Sequence, residues 1–261
     1  MIKRRLIPKL LLKRSKYGNK VALVTSVKFC DHIEIGDPVS QAKIYQAQMV
    51  DEILFLDIDA SRDGRDFLLT DIIHKVADQL FMPLTVGGGV KSIDDFRALL
   101  LNGADKVSIN TYAVRDPGLI RKAAGIFGSQ CVVLAIDAKR DKDGVYKIWI
   151  KGGEEETGLD LVKWAVDGEK LGAGEILLTS IDNDGTRMGL DNELIKKVAE
   201  AVSIPVVASG GCGLASHFVD GFIKGKADAI AAGTYFCFKD ENPMQVRSQV
   251  KSAGIPIRIF T

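Results

Sequence analysis

The sequence predicts an α/β chain folded as a single (β/α)8 TIM barrel, and three observations predict it. Short, almost continuous apolar runs alternate with stretches of 3.6-residue periodicity. Eight such units fill 261 residues without a linker or composition break, a beat that suits a closed barrel better than an open doubly wound sheet. Segments of the first half recur in the second, offset by roughly 122 residues, about half the chain. The expected domain is one unit, residues 1–261, built from two similar (β/α)4 halves.

The elements follow in order. Leu6–Leu12 is the first strand, apolar on both faces as a strand buried between two layers should be. Residues 13–36 form a long loop carrying a hairpin at Val21–Phe29, and Asp37-Pro38 starts a helix with Asp as cap and Pro in the first turn. Glu52–Leu56 is the second strand, and Phe67–Leu80 the helix after it, with Leu68, Ile72, Val76 and Leu80 on one stripe. Strand Pro83–Val86 leads to helix Ile93–Leu101. Strand Lys106–Ile109 leads to a helix opened by Asp116-Pro117 that runs through Leu119–Phe127. Cys131–Ile136 begins the second half. After it, residues 138–157 carry a second hairpin with an Asp143-Gly144 turn, then helix Leu159–Leu171. Glu175–Thr179 precedes helix Glu193–Val202, Pro205–Ala208 precedes helix Phe218–Lys224, and Ala229–Ala232 is the last strand. Long loops after the first and fifth strands belong to the C-terminal rim, where barrels do chemistry.

Composition narrows the function classes. Hydrophobic residues at 46% and charged residues at 26% are ordinary for a packed globule and exclude disorder and collagen-like repeats. Net charge is +1, so no global field favours nucleic acid or an anionic membrane. Cys30, Cys131, Cys212 and Cys237 have neither CxxC spacing nor the density of a disulfide framework, which fits a reducing, cytoplasmic setting. The start, MIKRRLIPKLLLKR, is too broken by charge and proline for a signal peptide.

Three constellations carry candidate chemistry. Gly87-Gly88-Gly89 and Gly210-Gly211-Cys212-Gly213 each lie between a buried strand and a helix, where glycine lets the backbone approach an anion. Asn110-Thr111 and Gly233-Thr234 complete the two halves, and the matched pair points to a bis-phosphate ligand. Asp57, Asp59, Asp137, Asp182 and Asp184 end strands, where a carboxylate serves either as general acid–base or as a helix cap. Arg5, Glu52, Lys106 and Glu175 begin strands at the opposite end; if inward, two cations and two anions ring the barrel bottom, and otherwise they are solvated strand ends. His32, His74 and His217 form no metal-binding spacing, so neither a metal nor another cofactor is expected.

These residues resemble the HisF family, the cyclase subunit of imidazole glycerol phosphate synthase. The similarity runs nearly end to end, through Phe55-Leu-Asp-Ile-Asp-Ala-Ser61, Thr85-Val-Gly-Gly-Gly89, Ala104-Asp-Lys-Val-Ser-Ile-Asn110, Ala135-Ile-Asp-Ala-Lys-Arg140 and Ala208-Ser-Gly-Gly211. The resemblance implies two phosphate sites, carried onto Gly89, Asn110, Thr111, Asp184, Gly185, Gly211, Gly233 and Thr234. It implies a catalytic Asp137, and a HisH-like glutaminase docked on the N-terminal face. Ammonia would then enter through a gate of Arg5, Glu52, Lys106 and Glu175.

The second catalytic aspartate of that family is missing. Where members read Pro-Cys-Leu-Asp-Val, this chain reads Pro8-Lys-Leu-Leu-Leu12, with Leu11 at the acid's position. The adjoining loop also departs, and Thr25 stands where a lysine is expected. Leucine moves no proton, and acid–base assistance is typically worth ~10²–10⁴-fold. The pattern resembles HisF-like paralogues of surface-polysaccharide biosynthesis, which serve an N-acetyl-sugar amidotransferase that makes an acetamidino group. Three readings follow: a non-cyclising, ammonia-conducting subunit; a histidine-pathway cyclase relying on Asp137; and a non-catalytic phosphate-ligand sensor.

Overall fold

The computed structural model describes residues 3–15, 17, 20–63, 70–238 and 241–258. The first half runs β1 (Arg5–Arg14), β2 (Val21–Val27), β3 (Cys30–Gly36), α1 (Pro38–Ala47), β4 (Ile53–Asp57), α2 (Ala60–Asp63), α3 (Thr70–Ala77), β5 (Leu84–Gly87), α4 (Ile93–Leu101), β6 (Lys106–Ile109), α5 (Thr111–Arg115) and α6 (Gly118–Phe127). The second runs β7 (Val132–Arg140), β8 (Tyr146–Ile150), β9 (Glu155–Asp160), α7 (Leu161–Leu171), β10 (Glu175–Ser180), α8 (Asn192–Ala199), β11 (Val206–Ser209), α9 (Ala215–Ile223), β12 (Ala229–Ala232), α10 (Thr234–Phe238) and α11 (Pro243–Ser252). Among the described residues no helix is long and apolar enough to cross a membrane.

Eight of the strands close into a parallel barrel in the order β1-β4-β5-β6-β7-β10-β11-β12, and β12 pairs back onto β1. Closure gives each strand an inner and an outer face, and side chains alternate between them. Ile7, Leu54, Val133, Leu177, Val207, Ala229 and Ala231 fill the lumen, with Leu56 and Ala135 against them. The outward set, among them Leu6, Leu10, Phe55, Leu134, Ile176 and Ile230, packs beneath the helices. Burial on both sides is why these runs read as continuously apolar.

The barrel bottom is tied by a recurring device. Asp51, Asp105 and Asp228 each precede a strand and accept a backbone N–H from the start of the neighbouring barrel strand, at 2.9, 2.7 and 3.1 Å from Leu6, Leu84 and Val206. Asp105 and Asp228 hold matching places in the two halves. Gly88 and Gly89 have φ +103° and +73°, and their counterparts Gly210 and Gly211 have +96° and +108°. Only glycine adopts these values cheaply, and a Cβ on Gly88 would stand 2.2 Å from the Asp57 carbonyl oxygen.

Several sequence expectations shift. The first hairpin is β2 with β3, so it extends to Gly36 rather than ending at Phe29. Phe29 instead forms its two-residue turn with Lys28, at φ +62° and +52°, the left-handed pair that a tight hairpin demands. Leu159 belongs to β9, and the following helix starts at Leu161 behind an Asp160 cap whose Oδ1 accepts from Lys163 N at 2.8 Å. Cys131 lies in a 3-10 turn before β7. Asp37 caps α1 as expected, accepting from Ser40 N at 2.8 Å. Asp116 does not cap α6; that position is Pro117, and Asp116 accepts from Gly118 N at 3.0 Å. Helix α3 covers only residues 70–77 of the expected 67–80 stripe; Leu80 lies beyond its end, and Phe67 and Leu68 lie outside the described residues. The short helices α2, α5 and α10 carry too little periodicity to be read from sequence; the C-terminal α11, which the sequence reading missed, buries Pro243, Val246, Arg247 and Val250 on one stripe. Asn242 and Gln245 nevertheless form a capping box on α11, with bonds of 3.0 and 2.7 Å.

Phe218, fully buried on α9, packs against Tyr235 and Phe236 of α10 with ring centroids 5.1 and 5.7 Å apart. Phe218→Ala is expected to cost about 3–5 kcal/mol of unfolding free energy, measured by denaturant titration.

Candidate functional site

At the bottom of the barrel the four charged strand starts turn inward and meet. Arg5 donates to Glu52 at 2.6 Å and also to Glu175, while Lys106 donates to the same two carboxylates at 2.8 and 2.9 Å. The result is a closed ring of alternating sign. Glu52 takes a further bond from the Thr85 hydroxyl at 2.6 Å. Glu52 and Glu175 are buried, so the ring is tolerable only because each carboxylate faces two cations. Burial alone would discharge Arg5, but Glu175 and Glu52 outweigh it and hold its pKa above the ordinary arginine value. The solvated reading of these strand ends is therefore set aside. Period-2 alternation, which groups Glu52 with Leu54 and Leu56, Lys106 with Ser108 and Asn110, and Glu175 with Leu177 and Thr179, is the signal that carried the alternative.

At the top, two cavities open. The larger, about 120 Å³, is lined by Gly88, Gly89, Asn110, Thr111 and Asp137. The smaller, about 20 Å³, is lined by Asp184, Gly185, Gly211, Gly233 and Thr234. The eight residues singled out as phosphate contacts thus divide three to five between the cavities, one set per half. Two strand arms roof them. Lys28 N, in the β2–β3 turn, donates to the Asp184 carbonyl at 2.9 Å, and Lys151 N, between β8 and β9, donates to Thr111 Oγ1 at 3.0 Å. Each half's arm therefore seats on the other half's loops.

The five strand-end aspartates separate by duty. Asp57 Oδ1 accepts from Asp59 N and Ala60 N, both at 3.1 Å, and so caps α2. Asp59 pairs with Lys13 at 3.2 Å, and Asp182 accepts from Arg140 N at 2.8 Å. These three serve local structure. Asp184 takes the Ser26 hydroxyl at 2.6 Å and Lys9 Nζ at 3.4 Å.

Asp137 alone combines a wall position in the larger cavity with the titration of an acid–base group. Its Oδ2 accepts from Asn110 Nδ2 at 2.9 Å. Desolvation pushes its pKa up to about 7; Lys9 opposes the rise, Asp184 adds to it, and the Thr179 and Asn110 hydrogen bonds oppose it. A carboxyl poised there can both give and take a proton near neutral pH. Leu11, 9% exposed, lines both cavities and offers only methyl groups. Among the described residues no group of three or more His, Cys, Asp or Glu side chains is placed to hold a metal ion.

Sequence reasoning missed Lys9 and Ser26. Lys9 is 5% exposed and lines both cavities. The same alternation that turns Arg5 inward turns Lys9 inward two pairs of residues further on.

Two outcomes test this geometry. Glu175→Ala leaves Arg5 and Lys106 short of a partner and is expected to cost about 3–5 kcal/mol of stability by denaturant unfolding. Asp137 binds its proton more tightly folded than unfolded, so its contribution to stability is fully present below about pH 4 and fades as pH rises to about 7. Asp137→Asn should remove that loss, gaining at most about 4 kcal/mol over the parent at pH 8 but not at pH 4. Paired denaturation curves at the two pH values check it.

Comparison with known proteins agrees with this architecture. The chain matches the family of histidine biosynthesis proteins over residues 5–241. It is 49% identical over 261 residues to the imidazole glycerol phosphate synthase subunit HisF of Clostridium botulinum strain Langeland, covering 99% of this chain and 100% of that one. The subunit HisF of the Okra strain is likewise 49% identical with the same coverage. With the barrel closed, its halves alike and this identity sustained from end to end, the chain belongs to the HisF family.

Proposed function

We propose that this chain is a HisF-like synthase subunit of a glutamine amidotransferase complex that conducts ammonia but does not itself cyclise. A HisH-like glutaminase would dock on the N-terminal face, where the ring of Arg5, Glu52, Lys106 and Glu175 guards the lumen. Ammonia passing the ring meets Ile7, Leu54, Val133 and Leu177, an apolar path that favours NH₃ over NH₄⁺. The acceptor would be an N-acetyl-sugar amidotransferase acting beyond the mouth.

The observation that carries this reading is Leu11. It occupies the strand-1 position of the family's second acid, in the wall of the larger cavity, and cannot transfer a proton. A mouth relieved of cyclisation beside an intact charged ring keeps the conduit and drops the chemistry. Asp137, Asn110 and the glycine loops remain, so a phosphorylated molecule or phosphate ions would still be held in the mouth.

The competing reading is the histidine-pathway cyclase. The names of the C. botulinum relatives and the titration of Asp137 favour it. Free ammonium salt with the bis-phosphate ribulosyl formimino substrate separates the two, because it bypasses the glutaminase. The conduit reading expects cyclisation at least ~10²-fold below that of an ordinary family member. It also expects glutamine-dependent amidination that needs this chain when glutaminase and amidotransferase are supplied. A cyclisation rate within about tenfold of the family's, or amidination unchanged without this chain, would overturn it.

A further inference from the structure

Lys9 has no part in the function proposed above. It projects from β1 into the barrel between the apolar lumen and the mouth, and it is buried. Among the described residues it is the one Lys or Arg lining either cavity, and with Leu11 and Ser26 it is common to both. An ammonium carries three donors, yet among the described residues Lys9 makes one side-chain hydrogen bond, to Asp184 Oδ1 at 3.4 Å. That is well beyond the ~2.7–2.9 Å of a strong charge-assisted bond. Asp184 is committed elsewhere: its Oδ2 is held by Ser26 at 2.6 Å and its carbonyl by Lys28 N at 2.9 Å. A buried cation with a distant partner and spare donors is costly unless something else completes its shell.

We propose that Lys9 is the ligand-holding cation of an anion site at the centre of the barrel mouth. The occupant is a small organic anion with two charged groups, one on Lys9 and the other on the Gly88–Gly89 and Asn110–Thr111 side of the larger cavity. Three features define that occupant. The larger cavity, about 120 Å³, admits a small two-headed molecule, whereas the smaller one, about 20 Å³, holds one or two waters. Leu11 and Leu177 line the wall near Lys9 and lower the local dielectric, which strengthens its pull on an anion. Leu11 also leaves strand 1 without a carboxylate to add to Asp57 and Asp137, which line the same cavity. Of the three departures on strand 1, Lys9 and Leu11 thus act in the same direction: one adds a positive charge to the wall and the other takes a negative one away.

The inference does not depend on glutaminase docking and is tested on the full-length chain alone. Isothermal titration would use inorganic pyrophosphate and malonate as two-headed probes and inorganic phosphate as a one-headed one. The two-headed pair tells a phosphate-bearing from a carboxylate-bearing occupant. At least one two-headed probe should bind more tightly than phosphate. Lys9→Met should weaken it tenfold or more, and Asp184→Asn, which frees the ammonium, should tighten it several-fold. If Lys9→Met does not fold, Lys9→Gln and Asp184→Asn carry the same pair of expectations. Unchanged affinity on removing Lys9, no tightening in Asp184→Asn, or no two-headed probe bound at millimolar concentration would each overturn the proposal. Loss of ammonia conduction, by contrast, would overturn only the function proposed above.

Discussion

Closing eight parallel strands onto themselves imposes one constraint from which the rest follows: every strand has an inside, and residues two apart share it. Strand β1 samples that inside along its length. Arg5 stands in the charged ring, Ile7 in the apolar lumen, Lys9 at the junction of the two cavities and Leu11 in their wall. Each layer is completed by the other strands at the same height. The ring needs Glu52, Lys106 and Glu175; the lumen needs Leu54, Val133 and Leu177. No single strand could support a half-buried arginine, and four strand starts together can.

The charged ring shows how such a layer survives in a core. A buried ion pair commonly fails to recover its desolvation cost, and a closed alternating ring recovers more because each charge faces two of the opposite sign. Above the ring the lumen is packed, with small Ala229 and Ala231 on the β12 side and the larger aliphatics of β1, β4, β7, β10 and β11 filling the remainder. The strand-start aspartates then fix the ends: Asp51, Asp105 and Asp228 tie neighbouring strands at the height of the ring.

The mouth follows the opposite logic, with polar groups from many loops around a few committed side chains. Asp137 titrates near neutrality because burial raises its pKa and Asp184 adds to that, against the pull of Lys9, Thr179 and Asn110. The arms β2–β3 and β8–β9 cross the mouth and seat on each other's halves. They also approach one another, since a Cβ on Gly153 would stand 3.2 Å from the Phe29 ring. The mouth is therefore built from both halves, although each half carries its own glycine loop.

Much of this was legible in the sequence because it rests on local periodicity. Apolar runs of strand length, helical stripes between them and a repeat at half the chain determined the barrel and its duplicated glycine loops. Gly88 and Gly89 match Gly210 and Gly211 in backbone conformation as they do in position. Resemblance of motif placed Asp137, and the strand-1 reading placed Leu11. Side-chain pairing across the barrel was beyond sequence, since spacing says which face a residue shares but not what stands opposite. Only the closed fold decided that Arg5, Glu52, Lys106 and Glu175 meet, that Asp57 caps a helix from the wall of the cavity Asp137 also faces, and that Lys9 reaches Asp184 from 175 residues away. The reason is physical: alternation along a strand is a property of the chain, whereas the partner of a buried charge is a property of closure.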